Sequence, residues 1–239
     1  MYDNYFYELK KTCKLKGFSI KESSRTGKNK EFPVYKVVLN PRNKPTICIS
    51  TGSHGTEKSG PLAVLKFIKE YIPNKEDPRI VILPLINPEG LFNNKRKNHR
   101  DIDLNRHFFD DPKPREIRNI INSIKKENIS LFISLHEDDE KKGVYLYNYS
   151  KNNKIAKKIV KFFSKITKIC RDKKIYRDKA SNGIISNPLH DGSFDEWVYH
   201  HSVKTAICIE IPDKALKFNQ RIKIVLKLIK FIIGLKLGK

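Results

Sequence analysis

The chain reads as an α/β fold in which short buried strands alternate with amphipathic helices. Apolar runs at 46–50, 79–86, 130–135 and 205–211 have strand length and are bounded by turn residues. Segments 61–72, 112–128, 155–169 and 215–235 instead space their apolar residues as one face of a helix. The polar residues able to carry chemistry fall just after the apolar runs, the edge at which helix-flanked sheets bind ligands.

Taken in order, residues 1–31 form a lead-in, a short helix or irregular stretch followed by a polar loop. Residues 32–39 alternate enough to form an edge strand. The run 46–50 then delivers the turn Thr51-Gly-Ser-His-Gly-Thr-Glu-Lys-Ser-Gly60, in which His54 and Glu57 form a His-x-x-Glu pair. The helix that follows closes at Ile72-Pro73, because proline cannot continue it. The strand at 79–86, with Pro84 near its end, empties into Asn87-Pro88-Glu89-Gly90. The polar stretch up to Phe109 is too long for a simple connector and is a candidate functional loop. After the helix at 112–128, the strand at 130–135 presents His136 just past its end, followed by four acids. Residues 144–147 suggest another strand, 186–195 a loop, and 194–201 a helical turn around Trp197. The last strand, 205–211, carries Glu210 near its end, and residues 215–239 supply a C-terminal helix that packs on the sheet. The even spread of apolar segments suits one domain over 1–239.

Composition narrows the function classes. With 38% hydrophobic and 31% charged residues the chain is globular, and no stretch approaches the roughly 20 apolar residues that span a bilayer. The start lacks the basic and apolar regions of a signal peptide, so a cytoplasmic location is expected. Four cysteines without a Cys-x-x-Cys spacing point to reduced thiols, Cys48 and Cys208 acting as small core residues. The formal charge of +23 raises a nucleic-acid reading, but the lysines are spread through nearly every segment. No specific nucleic-acid partner is expected, and the charge favours anionic substrates or surfaces only weakly.

His54, Glu57, His136 and Glu210, with Arg96, Asn105 and Arg106 on the long loop, make a catalytic zinc inventory. Two imidazoles and one carboxylate hold zinc while leaving a position open. A further carboxylate is needed to take a proton from water, and cations to stabilise an oxyanion and hold an anionic substrate. Glu137 or Asp138 could stand in for Glu57, and Arg100 for Arg96.

The blocks Gly52-Ser53-His54-Gly55-Thr56-Glu57, Asn87-Pro88-Glu89-Gly90, Arg96-Lys97-Asn98 with Asp103-Leu104-Asn105-Arg106-His107-Phe108, Leu135-His136-Glu137 and Ile209-Glu210-Ile211-Pro212 resemble, in order and spacing, the motifs of the zinc metallocarboxypeptidases. The likeness runs over about 46–212 and is nearest to small bacterial members such as murein tripeptide amidase and to the acylase relatives, the succinylglutamate desuccinylases and aspartoacylases. It implies a three-layer α/β/α sandwich around a mixed β-sheet and one Zn2+ per chain, held by His54, Glu57 and His136. Glu210 becomes the general base and later acid, Arg96 polarises the scissile carbonyl, and Asn105 and Arg106 clamp a terminal carboxylate. The implied reaction is hydrolysis of a C-terminal amide by a zinc-activated water. The substrate is a peptide or acyl-amino acid with a free carboxylate; deacylation of N-acyl amino acids is the alternative, and a non-catalytic basic binding protein a more distant one. Two departures stand out. Segment 181–194 has no tyrosine to match the mobile tyrosine of the digestive enzymes, Pro188 lying near that place. Asp195 falls at the floor of their side-chain pocket, where an acid suits a cationic side chain or a diamino acid, unless Asp195 merely caps the turn at Trp197.

Overall fold

A computed structural model describes residues 2–237 of the chain. Its centre is an eight-stranded mixed sheet in the order β1-β2-β4-β3-β5-β10-β6-β9. The strands are β1 (Ser19–Thr26), β2 (Phe32–Leu39), β3 (Thr46–Thr51), β4 (Arg79–Leu83), β5 (Leu131–Asp138), β6 (Tyr145–Ser150), β9 (Ile184–Ser186) and β10 (Thr205–Pro212), with β7 (Lys174–Ile175) and β8 (Asp178–Lys179) forming a separate two-stranded ribbon. The helices are α1 (Tyr2–Leu15), α2 (Ser59–Glu70), α3 (Pro88–Asn93), α4 (Arg115–Ile124), α5 (Lys154–Phe163), α6 (Phe194–His201) and α7 (Phe218–Ile233), and a 3-10 turn spans Leu104–Arg106.

Strands β4, β3, β5 and β10 run parallel in the centre, and β3 is buried along its whole length. Buried on both faces, such strands carry unbroken apolar runs instead of an alternation, which is why they were the legible ones. The sheet divides the core in two. Ile47, Ile49, Ile133 and Ile209 face α1, α2, α5 and α7 on one side, whereas Cys48, Phe132 and Ala206 face α4 and α6 on the other. This is the three-layer arrangement expected.

Three features differ from the sequence reading. The polar loop expected within residues 1–31 contains β1, a strand of eight residues that is largely exposed and pairs antiparallel with β2. Residues 32–39 therefore form the second strand, not the edge. The helix expected over 155–169 ends at Phe163, and Ile169 instead makes an isolated bridge to Val144.

The topology also fixes where a ligand can enter. From β3 the chain moves outward to β4 on one side, then returns to place β5 on the other side of β3. The loops leaving β3 and β5 diverge there, opening a crevice beyond the carboxyl ends of the parallel strands.

Candidate metal centre and cleft

His54 and Glu57 lie in the turn between β3 and α2, and that turn packs directly against the backbone of α3. A Cβ on Gly55 would come within 1.9 Å of the Gly90 carbonyl carbon, so only bare backbone fits. Asn87 N–H donates to Gly52 O at 2.8 Å, and the Asn87 side chain both accepts from Gly90 N at 2.9 Å, capping α3, and donates to Arg96 O at 3.1 Å. The Asn-Pro-Glu-Gly block thus buttresses the His-x-x-Glu turn.

His136 comes from β5 itself, two residues before the strand ends, and not from beyond it. The register sets Glu210 of β10 beside His136. All three expected ligands are buried, and their donor atoms lie within 4.8 Å of one another. Glu57 faces both imidazoles: His54 Nδ1 is 2.5 Å from Oε1 and His136 Nδ1 is 2.9 Å from Oε2. Burial works against its charge, yet the two histidines pull its carboxyl down to about 2. Burial likewise opposes protonation of His136, but Glu57 lifts it to about 9. Two imidazole nitrogens converging on one ionised carboxylate form a donor set that fits zinc, with room for an exchangeable fourth position.

The far side of His54 is also held. Its Nε2 lies 3.0 Å from Asp103 Oδ1, and Arg96 Nε donates to Asp103 Oδ2 at 3.0 Å. A carboxylate on the outer nitrogen fixes the ring and makes it a better donor to a metal. The sequence reading gave Asp103 no role, although it stands in the Asp-Leu-Asn-Arg block.

The alternatives left open by the sequence resolve through their partners. Glu137 accepts the Ser59 N–H at 2.6 Å, at the amino end of α2, and pairs with Arg221 of α7. Asp138 accepts the hydroxyls of Tyr145 and Tyr176 and two backbone N–H groups. Neither faces the histidine pair. Arg96 Nη1 comes to 3.6 Å from Glu57 Oε1, whereas Arg100 is drawn off by Glu116.

A cleft of about 950 Å³ opens over these groups. Asn105 and Arg106 both line it; Asn105 Oδ1 accepts Phe194 N at 3.0 Å, and Arg106 Nη1 lies 3.4 Å from Asp191 Oδ2. Glu210 also lines it. Burial, with Glu57 and Asp138 adding to it against the opposing pull of His136, raises its carboxyl to about 7. Asp195 is only 1% exposed, and its Oδ1 accepts the Ser134 hydroxyl at 2.6 Å while Oδ2 has no partner. The cap of α6 is Ser193, whose Oγ accepts Glu196 N at 3.4 Å, so Asp195 is not the cap. Burial foremost lifts Asp195 to about 6. Cys208, expected as a core thiol, is buried but also borders the cleft. The phenols facing the cleft, Tyr145, Tyr147, Tyr149 and Tyr176, come from β6 and the β7–β8 turn.

The sequence profile of the zinc carboxypeptidases matches residues 14–225. The chain belongs to that family. Zinc carboxypeptidases are metal-dependent hydrolases of peptide bonds, and that is the class in which the cleft is to be read. Comparison with curated proteins gave no match. Among solved structures, the chain is similar to a protein of Shewanella amazonensis SB2B provisionally described as a metallopeptidase (20% identity, TM-score 0.86, 97% of this chain and 92% of that one). It is also similar to a metallo-carboxypeptidase of Pseudomonas aeruginosa solved with (2-guanidinoethylmercapto)succinic acid (13%, 0.72, 97% and 68%). A third is the murein-tripeptide amidase MpaA of Escherichia coli O157 (12%, 0.65, 92% and 94%). At these identities the likeness speaks for the fold.

Proposed function

We propose that this zinc carboxypeptidase cleaves the C-terminal amide bond of a peptide, murein-type peptides included, with Glu210 as the proton-transferring group. The observation that carries the reading is the pairing of His136 and Glu210 across β5 and β10, which sets a carboxylate beside the three-donor set without making it a fourth ligand. Zinc held by His54, Glu57 and His136 would supply Lewis-acid polarisation and lower the pKa of water.

The chain's own residues account for the rest. Glu210, raised towards neutrality, is suited to accept a proton from the attacking water and return it to the leaving nitrogen. Arg96 reaches across Asp103 to the metal-ligand carboxylate, where its guanidinium would stabilise charge growing on the carbonyl oxygen. Arg106 and Asn105 would hold the substrate carboxylate, with Asp191 orienting Arg106 until substrate displaces it. At the cleft floor, the partnerless Oδ2 of Asp195 supports preference for a cationic side chain or a diamino acid.

A hydrolysis panel tests this: peptides with free and amidated C-termini, basic and neutral terminal residues, murein tripeptide and N-acyl amino acids, each with zinc and with a chelator. Zinc-dependent cleavage of free-acid peptides is expected, fastest with a basic terminus, and Asp195→Ala should erase that preference. Arg106→Ala should lose the free-acid advantage. Faster turnover of N-acyl amino acids than of any peptide would move the protein to the deacylases.

A further inference from the structure

Helices α1, α2, α7 and α5 lie side by side over one face of the sheet, each touching the next. Their inner stripes fill the larger core cluster. Together they carry twelve lysines and one arginine against three acids, and α5 and α7 carry no acid at all. On the opposite face, α4 and α6 carry two arginines against three acids. Folding therefore gathers twelve of the chain's 38 lysines, from four separate stretches, into one layer. Of the layer's acids, Glu8 pairs with Lys69, and Glu70 with Lys66 and Lys230. Among the described residues no ion pair reaches Lys157, Lys161, Lys223 or Lys227.

Large apolar side chains stand out from the same layer. Leu15 is 76% exposed, Ile72 81% and Tyr7 58%. Leu15 and Ile72 end neighbouring segments that Lys16 ties together, its Nζ donating to Tyr71 O at 2.8 Å. Lys14 and Lys69 flank them. Helices α2 and α7 both start at the cleft edge of the sheet, directly after β3 and β10, so their far ends and the Leu15–Ile72 tip lie at the opposite edge. A surface meeting this layer leaves the cleft mouth open.

We infer that this layer docks the protein on an anionic phospholipid surface, the lysines meeting headgroups while Leu15 and Ile72 enter the interface. Lysines beside protruding apolar side chains suit a bilayer, where basic residues draw the protein to anionic lipid and apolar ones anchor it. A nucleic-acid face calls instead for guanidinium forks and a series of stacking rings. The layer's one arginine, Arg221, is turned inward to Glu137.

The test is co-sedimentation of the full chain with phosphatidylcholine vesicles, with and without phosphatidylglycerol, over a salt series. Binding to the anionic vesicles alone, falling as salt rises, is expected. Lys157→Glu, Lys161→Glu, Lys223→Glu and Lys227→Glu combined should weaken it by more than about 100-fold. Leu15→Ser with Ile72→Ser should weaken it by about 10-fold, and both variants should cleave a soluble peptide like the wild type. Should the fourfold variant melt early, the matching Lys→Gln set and the wild-type salt series still decide. Equal sedimentation with neutral and anionic vesicles, no loss in the charge variants, or tighter binding to RNA of equal phosphate content would overturn the inference.

Discussion

The cleft and the layer formed by α1, α2, α5 and α7 draw on opposite halves of the chain's charge. Ten carboxylates and three arginines line the cleft, and no lysine does among the described residues. The layer, in contrast, carries lysine on nearly every exposed turn. A net charge of +23 therefore misdescribes the surface a substrate meets. Helical spacing sends lysines at i, i+3 and i+4 to one outer face, while the loops beyond the strand ends collect the acids. The sorting separates two tasks, chemistry at one edge and attraction to anions across another face.

The sharpest way to break this separation is at Glu210. Glu210→Gln should lower kcat by about 10²–10⁴-fold while zinc content and vesicle binding stay at wild-type levels; steady-state kinetics with metal analysis reads both. Next is the link joining the two regions, the Arg221–Glu137 pair between α7 and β5. Arg221→Ala should cost about 3–5 kcal/mol, because it leaves a buried carboxylate without its cationic partner and with only the Ser59 N–H, and urea unfolding with and without Glu137→Gln measures it. Inside the cleft, Asp103→Asn should weaken zinc binding about 10–100-fold with little change in melting temperature, read by chelator competition.

The smallest effect is expected at Asp195. Its folded carboxyl is raised to about 6, chiefly by burial, so the folded state binds this proton more tightly than the unfolded chain does. Charging it costs nothing below about pH 4, and the cost is complete above about pH 6. Asp195→Asn should therefore stabilise the metal-free protein by about 1–3 kcal/mol at pH 7 and leave it unchanged at pH 4, measured by thermal unfolding at both values.

How much of this could be read beforehand depended on whether a residue's environment is written locally. The central strands announce themselves because burial on both faces leaves continuous apolar runs. Strand β1, Ser-Ile-Lys-Glu-Ser-Ser-Arg-Thr, has no such run, and its pairing with β2 holds it in place. The ribbon β7–β8 is only two residues deep on each side, below the reach of any periodicity. At the site, the sequence pointed to His54 and Glu57 just after a strand and to His136 and Glu210 at strand ends, and the fold brings the four side chains to one cleft. Asp103 needed the fold, since its partner lies 49 residues away. The cleft phenols of β6 and of the turn at Tyr176 were sought only in segment 181–194, whereas the fold brings them in from elsewhere. Charge sorting was invisible for the same reason: a lysine's neighbours on a helix layer belong to three other stretches of chain.

The contact between Gly55 and Gly90 divides the freedom of the two cleft walls. One jaw, the His-x-x-Glu turn on the Asn-Pro-Glu-Gly block, meets backbone to backbone at Gly55 and Gly90, with no side chain to trim at that contact and no gap to widen. An inserted residue or a methyl group there would displace His54 and Glu57 together. The other jaw, built from the β7–β8 ribbon and the loop at 187–193, is pinned backbone to backbone at Gly192 against Arg106, and elsewhere rests on side-chain contacts such as those of Tyr176 with Asp138 and of His190 with Glu196. Away from Gly192, drift can rewrite that second wall one residue at a time, so a change of diet in this lineage would leave the His-x-x-Glu turn untouched.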